Sequence, residues 1–158
     1  MEFELHGVKF NYEYGNVYQC YHLKKGDVWK ERKMKLNGRG YKWFRFDVNK
    51  KKYCFSLHRI VYWLHNRDWD ILNSSRNNAI DHIDGDILNN NIENLRVVTN
   101  QENQWNQTRA KGYSYFQGRW QSYIRIDNKK KHLGYFDNEE DAHNAYLEAK
   151  KKYHIINS

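Results

Sequence analysis

Through residues 1–56, aromatic and β-branched residues recur between Lys, Arg and Asn in short runs. "GNVYQCYHL", "YKWFRFDV" and "KKYCFSL" read as strands. "DVNKKK" and "NGRG" at 37–40 separate them, the latter as a turn. Lys and Arg at alternate positions predict a twisted sheet with one basic face, and such a face is ordinarily just solvated. At residue 57 the period changes. Leu57, Ile60, Val61, Trp63 and Leu64 form a helical stripe. His58 and His65 lie on that helix and are read as packing or hydrogen-bonding residues, with no catalytic role. "RDWDILNSSRNN" follows as an irregular connector. "AIDHI" then reads as a strand, "DGD" as a turn and "LRVVT" as a second strand. "TNQE" at 99–102 fits the capping box, with Thr99 as N-cap and Glu102 reaching back. The pattern is a β-turn-β-helix unit with Asn103 in the first or second turn of its helix.

The last third changes register again. "YSYFQ", "RWQSYIRID" and "KKHLGYF" alternate as strands. "NEEDAHNAYLEAKKKYH" reads as a helix with Asn138 as N-cap and acids in its first turn. Ala142, Ala145, Tyr146 and Ala149 recur at helical spacing, a small-residue stripe suited to lying close on a sheet. Alternation puts Trp120, Ser122, Ile124 and Ile126 on one face. Arg119, Gln121, Tyr123 and Arg125 fall on the other, and Lys130 and His132 join that outer side from the next strand. The expected organisation is α+β in three parts: an N-terminal β module over 1–56, a central unit over 57–108, and a sheet-plus-helix unit over 109–158. The polar stretch "NQTRAKG" links the last two.

Composition sharpens this reading. Hydrophobic residues make up 39% of the 158-residue chain, below the globular norm, while aromatics reach 16%. A disordered chain would be poor in aromatics, so thin-cored modules are expected instead. The formal charge of +8 favours a polyanionic partner. Two cysteines without a CxxC exclude a four-cysteine zinc site, and no structural zinc is expected. No apolar run is long enough to span a bilayer, and the first residues lack the apolar core of a secretion signal. A reducing, intracellular setting is the default expectation.

Candidate chemistry concentrates in "DHIDGDILNNNIENLRVVTNQEN", residues 81–103. Phosphodiester hydrolysis needs a base for water, positive charge on the phosphate and stabilisation of the departing oxygen. A histidine of ordinary pKa, ~6.5, is poised as a base at neutral pH. A carboxylate and an amide oxygen together suit Mg²⁺. Asp81 and His82 are consecutive on a strand, so a local irregularity is needed for both to reach one site. "DHIDGD" fails the EF-hand pattern because Gly85 comes too early.

The same stretch resembles the HNH endonuclease motif, in the subtype found in homing endonucleases of phages and mobile introns. His82 matches the motif's first histidine, Asn94 its central asparagine and Asn103 its final position. Asp81 matches the metal-binding acid, and "LHRIVYWLH" resembles the helix that commonly precedes the motif. The resemblance implies a ββα-metal core in which Asp81 and Asn103 ligate one divalent cation, Mg²⁺ or Mn²⁺. His82 would activate water, and Asn94 would brace the hairpin and orient His82. Asn89, Asn90 and Asn91 receive no role beyond the hairpin.

"GRWQSYIRI", "HLGYF" and "EEDAHNAYLEA" resemble the AP2 DNA-binding domain. That resemblance implies a three-stranded sheet presented to duplex DNA through Arg119, Tyr123, Arg125, Lys130 and His132. His132 stands where the domain usually has a second tryptophan, so base readout does not transfer. The expected protein is a metal-dependent, site-specific HNH endonuclease acting on double-stranded DNA in a bacterial or virus-infected cell. The rival is a non-catalytic DNA-binding regulator on the same scaffold. An RNA-binding protein is disfavoured because no RRM or KH motif is present.

Overall fold

The computed structural model describes residues 1–106, 111–127 and 129–156. Most of the "NQTRAKG" linker, and with it the boundary at 108/109, lies outside the described residues. The protein is a mixed α/β molecule of several small sheets and few helices. It divides into two compact units, Met1–Ser74 with His82–Arg96, and Ser75–Asp81 with Val97–Ser158.

The first unit opens with an antiparallel four-stranded meander of β1 (Glu2–Leu5), β2 (Val8–Glu13), β3 (Asn16–Leu23) and β4 (Gly26–Glu31). A second sheet orders β5 (Lys35–Leu36), β6 (Lys42–Val48) and β7 (Lys51–Ser56). Strands β1, β2 and β4 add to those that the hydrophobic pattern predicts. β4 is exposed along its whole length and so carries no burial alternation to read.

One device closes most of these hairpins. Two-residue turns at His6–Gly7, Tyr14–Gly15, Asn49–Lys50 and Gln117–Gly118 all hold both residues at positive φ. This matches type I′ turns, whose twist suits that of the flanking strands.

The core of this unit is aromatic. Phe10 stacks on Phe3 at 5.3 Å and meets Phe44 and Phe46 edge-on at 5.6 and 4.8 Å. Helix α1 (Leu57–His65) buries Leu57, His58, Ile60, Val61 and Leu64, the predicted stripe with His58 added. Arg59 donates to the carbonyls of Ile71 and Asn73 at 2.7 and 2.9 Å and lies over the Trp69 ring. These bonds tie the irregular connector down to the helix. His65 Nδ1 meets the Val61 carbonyl at 2.9 Å, a local helical contact.

β8 (Ala79–His82) and β9 (Leu95–Val98) form the predicted two-stranded sheet, with a 3-10 turn at Ile92–Asn94 before β9. In the second unit α2 (Asn100–Trp105) is followed by the antiparallel sheet β10 (Tyr113–Phe116), β11 (Arg119–Ile126) and β12 (Lys129–Phe136). Helix α3 (Glu139–Tyr153) starts at the predicted cap, where the Asp141 backbone N–H donates to Asn138 Oδ1 at 2.8 Å. Ala142, Tyr146 and Ala149 are buried, and Ile124 of β11 packs with Tyr146 and Ala149. Gly112 allows this packing, since a Cβ there would sit 2.0 Å from the Tyr146 ring. A register shift between Ser122 and Tyr123 leaves Leu133 unpaired, with Ser122 opposite Gly134 and Tyr123 opposite His132.

Candidate active site in residues 79–106

His82 ends β8 and is only 3% exposed. Its carbonyl accepts from the Gly85 backbone N–H at 2.9 Å, so the strand gives way to a tight turn at this residue. Gly85 holds φ +77, which glycine adopts without a side-chain clash. The ring Nε2 lies 3.0 Å from Asn90 Oδ1. With the amide oxygen as acceptor, Nε2 carries the proton and Nδ1 holds the lone pair. This assignment follows from the amide orientation. The imidazole also touches two rings, Tyr41 at 5.9 Å and His58 edge-on at 5.3 Å.

His58 is buried, and its pKa is pushed down to about 3, first by burial and then by the charges of His82 and Arg59. It is therefore an uncharged wall beside His82 at neutral pH.

The loop between β8 and β9 is organised around Asp84. Its Oδ1 accepts from Asn94 Nδ2 at 2.9 Å and from the Asp86 backbone N–H at 2.8 Å. Its Oδ2 accepts from Asn89 Nδ2 at 2.7 Å. Those bonds, Asn89's first, hold the carboxyl below the ordinary range. Asn94 closes the loop from the other side. Its Oδ1 accepts from the Asp84 backbone N–H at 3.0 Å, and its carbonyl accepts from that of Ile83 at 2.9 Å. Asn94 thus braces the hairpin, while the hydrogen bond to the His82 ring comes from Asn90. Four asparagines lie within six positions, and nothing in the sequence singles out Asn90.

In the second unit Asp81 is buried, and its Oδ1 accepts from Asn106 Nδ2 at 3.1 Å. Asn106 carries no signal in the sequence beyond its place in the polar linker. Asn103 lies half-buried on α2, its backbone N–H donating to the Thr99 carbonyl at 3.0 Å. Its side-chain amide makes no hydrogen bond among the described residues. The capping box that starts α2 is complete. Thr99 N–H and Oγ1–H both donate to Glu102 Oε2, at 2.7 and 2.8 Å, and the Glu102 N–H donates to Thr99 Oγ1 at 3.2 Å. The oxygens of Asp81 and Asn103 are hard donors, the type that suits Mg²⁺ or Mn²⁺.

On the outer face of the C-terminal sheet, Arg125 pairs across from Lys130, and Tyr123 across from His132. Lys130 Nζ sits 3.7 Å from the Tyr123 ring centroid, and the His132 ring lies 4.6 Å from Tyr135. Arg119 is paired with Asp137 at 3.0 Å, an exposed contact worth little. Two exposed aromatics, Phe116 and Tyr135, share this face by register with Arg119 and Gln121.

With this geometry in view, residues 56–105 match the family model described as HNH endonuclease. The matched segment spans α1, the β8–β9 hairpin and α2. A solved structure described as "DNA binding and cleavage by the HNH homing endonuclease I-HmuI" is similar at 28% identity and a TM-score of 0.43, over 63% of this chain. The similarity covers 51% of that chain, so this protein spans about half its length. Comparison with curated proteins gives no match. Among the described residues no helix is long and apolar enough to cross a membrane.

Proposed function

We propose that the protein is a metal-dependent, site-specific endonuclease of the homing type, hydrolysing phosphodiester bonds in double-stranded DNA. One observation carries this reading. The Asp81, His82, Asn94 and Asn103 set lies wholly inside the segment that matches the HNH endonuclease family, on the hairpin and helix which that chemistry requires. In this proposal residues 57–108 cut, residues 109–158 read DNA as an AP2-like domain does, and residues 1–56 add further contact.

His82 is the general base. The Asn90 amide oxygen meets ring Nε2 and orients the imidazole that takes the proton from water. Neutral His58 and Tyr41 fix the ring plane. Asn94 keeps the loop that carries Asn90 in place through Asp84. Asp81 and Asn103 hold one divalent cation by oxygen atoms, and Asn106 orients Asp81. When bound, that cation supplies positive charge at the scissile phosphate and the departing 3′-oxygen. The products expected are 5′-phosphate and 3′-hydroxyl ends.

Supercoiled plasmid incubated with the protein and Mg²⁺ or Mn²⁺ should be nicked or linearised, and EDTA should stop the reaction. His82→Ala should lower turnover by ~10²-fold or more with DNA affinity retained. Asp81→Ala should cost more than Asn103→Ala, because Asp81 carries the charge. Undiminished cutting in EDTA would remove the metal from the reading. DNA binding without cutting in any divalent cation would favour the non-catalytic regulator.

A further inference from the structure

Outside the matched segment, the β3–β4 hairpin gathers three metal-ligand types. Cys20 and His22 stand two apart on β3, so their side chains share a face. Asp27 on β4 is the cross-strand partner of His22. The Cys20 sulfur, a His22 ring nitrogen and an Asp27 carboxylate oxygen all lie within 4.8 Å of one another. His22 Nδ1 is 2.6 Å from Asp27 Oδ1. Cys20 is buried and in no disulfide, whereas His22 and Asp27 are exposed.

We propose that Cys20, His22 and Asp27 form a binding site for a borderline-soft divalent transition metal, Zn²⁺ foremost. Thiolate, imidazole and carboxylate are the three side-chain types that bind Zn²⁺. One sulfur and one nitrogen among three donors disfavour Mg²⁺, which takes oxygen ligands in octahedral array. Bonds of about 2.0–2.3 Å in tetrahedral geometry place ligand atoms roughly 3.3–3.8 Å apart. The observed spread needs a shift of about an ångström or less at its widest pair, within reach of two exposed side chains on staggered rotamers.

Thiolate and carboxylate together balance the charge of a divalent ion. Burial first, and then the Asp27 carboxylate, push the Cys20 thiol up, so the ion has to displace the thiol proton as it binds. The buried sulfur forms the floor and the exposed pair the entrance, with a fourth position left to water. The cysteine count that rules out a four-cysteine site leaves this mixed set open.

Such an ion would do mechanical work. β4 is exposed throughout, and at this end its register against β3 is held by backbone pairing and the exposed His22–Asp27 contact. A bond from each strand to one ion would pin His22 to Asp27 and hold an edge strand that buries little. The proposal is independent of the nuclease reading.

Co²⁺ titrated into the reduced, EDTA-stripped full chain without DNA provides the test. A thiolate-to-cobalt charge-transfer band should appear, saturate at one equivalent and be displaced by Zn²⁺. Cys20→Ser should abolish the band, and His22→Ala and Asp27→Asn should weaken binding ~10-fold or more. Cys54→Ser should retain it, as should Asp81→Ala, since the oxygen donors at the motif give no sulfur band. Zn²⁺ should raise the thermal midpoint of the parent protein but not that of His22→Ala, whose exposed position makes misfolding a poor explanation. Absence of the band in the parent protein, its survival in Cys20→Ser, or its loss in Cys54→Ser would each overturn the site.

Discussion

At the scale of single residues, what the His82 ring meets sets how it can act. A base must present one nitrogen and keep the other protonated, and in the proposed role of His82 the Asn90 amide oxygen at Nε2 imposes that choice. Asn90→Ala should therefore lower turnover, on the order of tenfold by the effect of orienting partners on histidines. Asn91→Ala, one residue on, should change little. Equal losses in the two variants, measured under saturating DNA, would mean that the loop rather than the ring is at stake.

His58 makes a different prediction. Its folded pKa of about 3 lies below its ordinary 6.5, so the unfolded chain takes up the proton first. The stability it contributes is fully present above pH 6.5 and is lost as pH falls from there towards 3. Asp84 follows the carboxylate rule. Its folded pKa is depressed below 3.8, so its contribution is present above that value and is lost only as pH drops further. Thermal midpoints between pH 7 and 4 should thus fall less steeply in His58→Phe than in the parent. Parallel slopes would assign the acid sensitivity to another group.

At the scale of elements, α2 is too short to stand by itself. Six residues fall well below the length at which an isolated helix is stable in water. Its start depends on the Thr99–Glu102 box, and it carries Asn103. Thr99→Ala should cost about 1 kcal/mol locally. Metal-dependent cutting should fall further than the global midpoint does, and raising the Mg²⁺ concentration should recover part of it. A variant that loses stability and activity in strict proportion would deny α2 this separate role.

Such caps were readable from sequence because a capping box and an N-cap asparagine each place a specific side chain at a specific offset. The β8–β9 hairpin was readable for the same reason. β1, β2 and β4 were not. The turns around β1 and β2 use His6 and Tyr14 where Asn or Asp would have signalled, the β3–β4 turn falls on Lys24–Lys25, and β4 has no buried face to set a period. Asn90 and Asn106 were hidden because an asparagine's role is set by what its amide reaches, which spacing does not encode.

At the scale of the whole molecule, the proposed division between cutting and reading is tested best by point substitutions. Trp105 of α2 stacks on His154 at 4.7 Å, within the unit that also contains the C-terminal sheet. A truncation near residue 108 would strip that ring from the helix bearing Asn103 and confound the two roles. The outer face of the sheet offers a cleaner handle. Arg125 and Lys130 are directly opposed across β11 and β12, a like-charge pairing that costs a few tenths of a kcal/mol or more in a sheet with no partner. Phosphate between them would turn that cost into attraction. Lys130 already lies over Tyr123, which holds its ammonium in place.

If this face reads DNA, Lys130→Ala should weaken cognate and random duplexes alike and reduce the salt slope by about one unit. An arginine that contacts base edges behaves otherwise: Arg119→Ala or Arg125→Ala should then cost about 1–3 kcal/mol on the cognate site and little on random DNA. None of the three changes should lower single-turnover cutting at saturating DNA, because none of these side chains belongs to the His82 set. Affinity and salt slope unchanged in all three variants would show that the reading surface lies elsewhere, and the four-stranded sheet of the first unit would be the next to substitute.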